Sequence, residues 1–253
     1  VTGVQTCALP ILDQRSNFYT SIAISNREPS RSNYRDADDM HQPKSERLFD
    51  WEMGYTYKTP NLSFDASLYY MNYKDQLVQT GEINDVGAAI MTNADKSYRM
   101  GIEINGGILI SPIFSWEMNL SLSENKIKDF MSFVDNWSPP YTQIPENIGN
   151  TTLSFSPSVI AGSTFKLKAS EDFQIRFISK YVSRQYIDNT SNIERSLDPY
   201  LINNLHFEYK IPTKHLKGIT ARLMVNNLFD EKYETNAWVY RYFSGGQEYA
   251  MDG

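Results

Sequence analysis

The chain has 253 residues, a formal net charge of −6 and 13% aromatic residues. The acidic balance argues against a nucleic-acid-binding protein, which normally presents a basic face. A mean hydropathy of −0.48 and the lack of any stretch near the roughly 20 apolar residues of a spanning helix exclude a helical membrane protein. A membrane-spanning β-strand needs only about 9–11 residues of alternating character, so a transmembrane β-barrel stays compatible with this composition.

The first eleven residues, VTGVQTCALPI, differ in character from the rest of the chain and contain its single cysteine. They resemble translated sequencing-adapter sequence, and they lack the basic start and the long apolar core of a secretory signal. We therefore expect residues 1–11 to be non-native and residues 12–253 to be the native portion.

Alternation with a period of two is the main pattern after residue 12. In residues 62–70, 98–108 and 114–125, apolar side chains occupy one face and mainly polar ones the other, as in a β-strand. Pro157 and Gly162 suggest that one strand is bulged or broken. About nine strands are predicted in all, near residues 17–26, 49–57, 62–70, 98–108, 114–125, 151–168, 173–177, 201–211 and 219–225.

The connections between these strands alternate in length. Short turns are predicted at residues 58–61, 111–112, 170–172 and 212–218, and long polar loops near residues 27–46, 80–96, 128–149, 187–197 and from 230 onward. Short turns at one end and long loops at the other are typical of outer-membrane barrels, whose turns are periplasmic and whose loops lie outside.

Charged residues recur on the polar faces of the predicted strands. A polar barrel lumen accommodates them, so five residues are expected to face the lumen. These are Arg99, Glu103, Asn119, Arg176 and Glu208. The apolar faces are then expected to point outward to lipid. A soluble carbohydrate-binding β-sandwich with one solvated face would alternate in the same way, and it remains the alternative fold.

Residues that could carry catalysis are few. His41, His206 and His215 lack metal-ligand spacing to one another. The acidic segment 36–41 could bind a cation, although such clusters are usually solvated loops. An outer-membrane hydrolase would need a Ser–His pair, for which His206 is the only plausible base. We therefore predict no enzyme activity, no cofactor and no metal site.

Aromatic residues in the predicted long loops are candidate ligand contacts. They are Trp137, Tyr141, Trp238, Tyr240 and Tyr242. Exposed aromatic side chains on long loops often mark binding surfaces. The alternative is that they pack the loops against one another over the barrel mouth.

Several segments, in this order, resemble motifs of the TonB-dependent outer-membrane receptors. They are Arg27-Glu28-Pro29-Ser30, Glu46 with Trp51-Glu52-Met53-Gly54-Tyr55, Leu68–Leu77 (LYYMNYKDQL), Asn93 with Gly101-Ile102-Glu103, and Val225–Tyr233 (VNNLFDEKY). The last of these resembles the NLFDKKY-type motif near the end of that family's barrel. Each match is modest, but together they cover nearly everything after residue 12.

The resemblance implies a 22-stranded barrel closed by an N-terminal plug that carries the TonB box. This chain is then expected to be the C-terminal portion of the barrel, without the plug and the final strand, as an open piece of about nine strands. The implied function is import through the outer membrane of a Gram-negative bacterium, most often of an iron–siderophore complex, with cobalamin or a glycan as alternatives. The implied partners are the TonB complex of the inner membrane, outer-membrane lipid and a siderophore-like ligand, and no nucleic acid. A passive porin remains the rival within the same fold.

Overall fold

The computed structural model describes residues 2–8, 13–37, 42–84, 86–213 and 218–253, which form β-strands and one short helix, α1 (Arg31–Asp36). The strands are β1 Thr2–Ala8, β2 Ser16–Arg27, β3 Glu46–Lys58, β4 Leu62–Ile83, β5 Ala89–Ser111, β6 Phe114–Asn136, β7 Gln143–Thr152, β8 Val159–Lys168, β9 Phe173–Val182, β10 Gln185–Tyr186, β11 Ser196–Leu197, β12 Tyr200–Ile211, β13 Ile219–Val225, β14 Val239–Ser244 and β15 Gln247–Asp252.

Most of the strands form one antiparallel sheet. Its main path runs β1-β2-β3-β4-β5-β6-β8-β9-β12-β13, and β7, β14 and β15 join it at the outer part of β6. Strands β10 and β11 form a separate small pair. Within the described residues β1 and β13 each have one neighbour on this path, so the sheet is open. An all-β, antiparallel barrel-type sheet is therefore confirmed.

All nine predicted strands are present, with one correction inside the strand near 151–168. The chain breaks between β7 and β8 around Pro157, as predicted, but Gly162 lies within regular pairing opposite Asn119. A Cβ atom on Gly162 would clash with Asn119 Oδ1, so the glycine makes room for a neighbouring side chain instead of breaking the strand.

Three of the predicted long loops are largely strand. Residues 80–96 complete the β4/β5 hairpin, residues 128–149 the β6/β7 hairpin, and β14/β15 is a further hairpin after residue 230. Beyond the alternating segments these ribbons bury a hydrophobic cluster, made of Val78, Ala94, Ile127, Phe130 and Leu153. Buried polar groups beside it are paired: in the β4/β5 hairpin, Ser97 Oγ donates to Gln76 Oε1 at 2.6 Å.

The two other predicted loops are mostly irregular. The segment 27–46 contains α1, whose N-cap Ser30 accepts a hydrogen bond from the Asn33 amide. The segment 187–197 ends in the short strand β11. No helix in the described part of the chain is long and apolar enough to cross a membrane.

Short turns connect the strands at the opposite end of the sheet. In the β3–β4 turn, Thr59 N donates to Leu62 O at 2.7 Å, and Leu62 N donates to Thr59 Oγ1 at 3.0 Å. In the β8–β9 turn, Phe173 N donates to Ser170 Oγ at 3.1 Å. The β12–β13 turn includes residues 214–217, which lie outside the described residues. The asymmetry between short turns and long ribbons agrees with the prediction.

Strand β1 pairs with β2 through residues 20–26. This pairing does not test whether residues 1–11 are native, and that expectation stays a prediction.

Strand registers place the five polar residues of the lumen prediction on one face of the sheet. Directly paired residues of an antiparallel ladder point to the same side, and the side alternates along each strand. The pairs that connect them are Arg99↔Asn125, Glu103↔Ser121, Asn119↔Gly162, Gly162↔Lys180, Arg176↔His206 and Glu208↔Gln174. We call this side of the sheet the polar face.

The opposite side, the apolar face, carries rows of large hydrophobic residues. One row runs Trp51↔Tyr70↔Met100, and another joins Trp116 to Phe165. Many of these side chains are exposed among the described residues, including Leu68 and Leu122 at 40% each. A soluble sandwich would bury such a face under a second sheet, so its exposure favours a lipid-facing surface.

Candidate ligand-binding site

The candidate site lies at the end of the sheet opposite the short turns, where the last hairpin packs beside β6. Tyr242 pairs in parallel with Asp135, and Phe243 pairs with Asn136. Trp137 N also donates to Phe243 O at 2.8 Å. The β14/β15 hairpin is therefore held against the tip of the β6/β7 hairpin, although about a hundred residues separate them in sequence.

Four aromatic rings meet at this junction and form what we call the aromatic stack: Trp137, Tyr240, Tyr242 and Tyr249. The Trp137 and Tyr242 ring centroids are 3.9 Å apart, and those of Tyr242 and Tyr249 are 5.5 Å apart. Trp137 Nε1 donates to Tyr240 Oη at 3.3 Å, and that hydroxyl donates to Asp135 Oδ2 at 2.6 Å. Trp137 is 49% exposed, so part of the stack is open to a ligand.

The structure brings together three of the five aromatic residues predicted from sequence. Trp137, Tyr240 and Tyr242 belong to the stack, whereas Tyr141 is 71% exposed in the β6–β7 turn. Trp238 begins the last hairpin, where its amide donates to Gly253 O at 3.0 Å. The stack joins loops as well as exposing rings, so ligand contact by these residues stays a prediction.

A buried cation lies under the aromatic stack. Arg241 is 7% exposed and donates to Glu248 Oε1 at 2.6 Å, to Glu146 Oε2 at 2.8 Å and to Ser132 Oγ at 3.0 Å. Burial by itself lowers the pKa of Arg241, but the hydrogen bonds with Glu248 and Glu146 outweigh burial and raise that pKa. The hydrogen bonds of its guanidinium tie β14, β15, β6 and β7 together.

The same charge network reaches the segment between β10 and β11. Arg195 Nη1 lies 3.8 Å from Glu248 Oε1, and Arg195 Nε lies 2.9 Å from Asp188 Oδ2. The neighbouring Asn189 is buried, donates to Gln79 O at 2.5 Å and accepts from Ser154 N at 2.9 Å. These bonds fix the segment against β4 and against the break between β7 and β8.

A cavity of about 380 Å³ opens between these elements and α1. Its volume is in the range of small-molecule sites, which usually combine apolar walls with a few polar groups. The polar and aromatic groups on its wall include Asp36, Thr92, Asp135, Asp188, Tyr240 and Arg241. Both signs of charge are therefore present, together with one ring of the aromatic stack.

Asp36 is the part of the predicted acidic segment that the structure describes. It accepts hydrogen bonds from Arg35 and from Asn84 Nδ2, the latter at 2.9 Å. The hydrogen bond with Arg35 is the main reason that the pKa of Asp36 is lowered. Asp38, Asp39 and His41 lie outside the described residues. Within the described ranges no group of three or more His, Cys, Asp and Glu residues could hold a metal ion.

The residues predicted to face the lumen make polar contacts along the polar face. Arg99 Nη1 donates to Ser156 Oγ at 3.1 Å and to Asn125 Oδ1 at 3.4 Å. Glu208 accepts from Arg222 Nε at 2.8 Å and lies 3.9 Å from Arg176. Arg176 and Glu208 are partly exposed, whereas Asn125 and Ser156, the partners of Arg99, are buried.

His206 does not form a catalytic pair. It lies opposite Arg176 on β9 and Met224 on β13, and its buried Nε2 makes no hydrogen bond in the described structure. A hydrolase would need a serine hydroxyl within hydrogen-bonding reach of this base. The geometry therefore gives no support to the hydrolase alternative.

The sequence analysis did not identify the charged residues of this site. Arg241, Glu248, Glu146, Asp188 and Arg195 were absent from the predicted set. A usable signal was present in residues 239–244, VYRYFS, where two tyrosines alternate with other residues as on a strand. Because the segment from residue 230 onward was predicted to be a loop, the position of Arg241 on the strand face opposite the two tyrosines was not predicted.

Comparison with known proteins agrees with this architecture. A family described as "TonB dependent receptor-like, beta-barrel" matches residues 11–228. The pesticin receptor of Yersinia enterocolitica is 22% identical over 210 residues, which are 82% of this chain and 27% of that protein. The chain therefore spans about a quarter of the length of the curated relatives it matches.

Solved structures of receptors share the fold. The ferric yersiniabactin uptake receptor of Yersinia pestis superposes with a TM-score of 0.66 at 20% identity, covering 98% of this chain and 35% of the other. A siderophore receptor of Acinetobacter baumannii gives a TM-score of 0.69 at 16% identity, covering 98% and 34%. At these identities the similarity establishes the fold, and the ligand has to be argued from the site.

Proposed function

Because this chain belongs to the TonB-dependent receptor family, as part of its β-barrel, we propose that the whole protein imports a scarce ligand through the outer membrane with energy from the TonB complex. Members of the family are receptors and transporters, not enzymes, and reside in the Gram-negative outer membrane. The observation that carries the proposal is the family match over residues 11–228, most of the chain.

The difference between the two faces of the sheet favours a barrel wall that separates lipid from a water-filled lumen. On the apolar face the hydrophobic residues of β5 extend from Ile108 to Tyr98. Ten residues at about 3.4 Å each, tilted by about 45°, rise roughly 24 Å along the membrane normal. This height fits the apolar band of about 25 Å that outer-membrane barrels present. Arg99, Glu103, Asn119, Arg176 and Glu208 then line the lumen.

The ligand-binding site proposed here is the cavity with the aromatic stack at its edge. Asp135 and the mostly buried Arg241 line it with charges of both signs, and Trp137 and Tyr240 offer flat apolar rings. An iron–siderophore complex is a compact ligand with aromatic or amide-rich arms and oxygen donors, which such a wall suits. The relatives named as pesticin receptor and ferric yersiniabactin receptor add support to this ligand class.

A glycan is the second candidate ligand. Exposed aromatic rings such as Trp137 also stack on sugar faces, and hydrogen-bonding side chains such as Asp135 lie beside them. Cobalamin transport has no comparable observation in its favour.

The test is growth and uptake in the organism that carries the gene. A deletion strain should grow more slowly than the parent when a chelator limits iron, and it should lose uptake of a radiolabelled ferric siderophore. The full-length gene should restore both. If the deletion strain takes up iron normally but no longer grows on an oligosaccharide, the ligand is a glycan and not a siderophore. Transport that persists without TonB would instead indicate a passive porin.

Single substitutions test the site itself. We expect Trp137→Ala to weaken ferric siderophore binding about tenfold, because stacking on an aromatic ring contributes about 0.5–1.5 kcal/mol beyond the buried area. Phe229→Ala is the matched control, since Phe229 is 67% exposed in the turn after β13, outside the aromatic stack. If both variants bind the ferric siderophore with equal affinity, the aromatic stack is not part of the binding site.

A further inference from the structure

Four basic residues lie side by side across four neighbouring strands, and we call them the basic row: Arg47, Lys74, Lys96 and Lys128. Arg47 on β3 pairs directly with Lys74 on β4, Lys74 with Lys96 on β5, and Lys96 with Lys128 on β6. Adjacent strands are about 4.8 Å apart, so the row extends over about 14 Å. All four residues are exposed.

The basic row lies on the apolar face, directly beyond its hydrophobic band. Lys96 is two residues from Tyr98 on the same side of β5, and Tyr98 stacks with Tyr70 at 6.4 Å between centroids. The Lys128 ammonium lies 5.6 Å from the Tyr98 ring centroid. These tyrosines are typical of the aromatic girdle at a membrane interface. The basic row therefore lies next to the aromatic girdle, on the side farther from the short turns.

No ion pair within the described structure involves the basic row. None of its four side chains takes part in an ion pair with another described residue. Glu124, on the same face, lies opposite Met100 and accepts a hydrogen bond from Tyr98 Oη at 2.8 Å. The neighbours in sequence, Asp75, Asp95 and Asp129, make no ion pair with the row either.

Like charges directly opposite each other destabilise a pair of strands. A row of four cations is thus expected to need an anion from outside the chain. Lysine and arginine side chains bind phosphate groups, and basic residues near an anionic membrane surface contribute about 1 kcal/mol each.

We propose that the basic row binds the phosphate groups of a phosphorylated glycolipid in the outer leaflet of the outer membrane. The acyl chains of that lipid lie on the rows beneath, at Trp51, Tyr70 and Met100. The continuity of the row with the apolar face favours a lipid over free phosphate. This assignment rests on the proposed function, because it requires the apolar face to meet lipid.

The test measures binding of purified lipid A to the full-length receptor in detergent, by native mass spectrometry. The probes are bis-phosphorylated lipid A, the same lipid with both phosphates removed, and inorganic phosphate as competitor. The variant is Lys74→Gln/Lys96→Gln/Lys128→Gln.

The control variant carries the same charge change at Lys58, Lys168 and Lys210. These lysines are exposed on the polar face, close to the short turns.

We expect the triple variant in the basic row to weaken binding of bis-phosphorylated lipid A by at least about tenfold, and the control variant to bind as the unaltered receptor does. Removal of both phosphates should have the same effect as the row variant. Equal binding by row variant and control, or by lipid with and without phosphates, would overturn the proposal. So would displacement of the lipid by inorganic phosphate at equal concentration.

The orientation of the face is tested separately. A spin label at Met100→Cys, with Cys7 replaced by serine, should be relaxed by lipid-soluble oxygen and protected from a water-soluble nickel reagent. If the label is exposed to lipid but lipid A does not bind, only the proposal for the basic row is refuted. The proposed import function then still stands. A water-exposed label refutes the barrel orientation and, with it, both proposals.

Discussion

At the scale of single residues, Asn227 shows how one side chain fixes the turn after β13. Its Oδ1 accepts from Glu231 N and its Nδ2 donates to Glu231 O, both at 2.9 Å. Its backbone N–H donates to Asn204 Oδ1 at 2.8 Å. Its backbone φ is 51°, a value that asparagine tolerates better than most residues. The NLFD-type motif noted in the sequence is thus explained by hydrogen bonding.

Asn227→Ala should destabilise the full-length receptor by roughly 1–3 kcal/mol, because two hydrogen bonds are lost and alanine is strained at positive φ. Thermal unfolding in detergent is the measurement. Asn226→Ala, at an exposed neighbouring position, is the control and should stay within about 0.5 kcal/mol. Similar melting temperatures for the two variants would contradict a structural role for Asn227.

Arg241 connects four strands of the loop assembly. Replacing it by methionine removes its ion pairs with Glu146 and Glu248, although Glu248 keeps Arg195 at 3.8 Å. We expect a cost of about 1–3 kcal/mol, because both carboxylates are partly exposed. We expect Arg241→Met to free the β14/β15 hairpin and to accelerate its cleavage by protease. Arg222→Met, which removes an exposed ion pair with Glu208, should leave cleavage unchanged. An uncut hairpin in the first variant would show that the aromatic stack and the backbone contacts with β6 hold it without Arg241.

At the scale of elements, the two faces of β5 should respond oppositely to the same substitution. Ile104→Arg places a charge on the apolar face near the middle of the band and should cost roughly 2–4 kcal/mol. Asn105→Arg, one residue on and on the polar face opposite Asn119, should be tolerated. Assembly of the full-length protein in the outer membrane, followed by heat-modifiable mobility on gels, reports both. Normal assembly of Ile104→Arg would mean that this face does not meet lipid.

At the scale of the whole molecule, the open sheet sets the behaviour of these 253 residues expressed alone. Strands β1 and β13 expose unpaired backbone groups, and the apolar face has no covering layer among the described residues. We expect this polypeptide to aggregate in plain buffer and to need detergent. Size-exclusion chromatography and denaturant unfolding test this. A monodisperse monomer with a cooperative transition would instead favour the soluble sandwich.

The sequence by itself determined the strand class, nine strand positions and the division into two faces. Alternation is a local property, so Arg99 and Glu103 could be assigned to one face and Ile104 to the other without coordinates. The motif near Asn227 was recognisable for the same reason, because its hydrogen bonds connect residues close in sequence.

Only the tertiary structure decided how far the hairpins extend and which loops meet. The outer ribbons, where Gln76 pairs with Ala94, lack the long apolar alternation of the inner strands, so they read as polar loops. The contacts of Trp137 with Tyr242 and of Arg241 with Glu146 join segments about a hundred residues apart. Such contacts depend on where the sheet places each hairpin, and no local pattern carries that information.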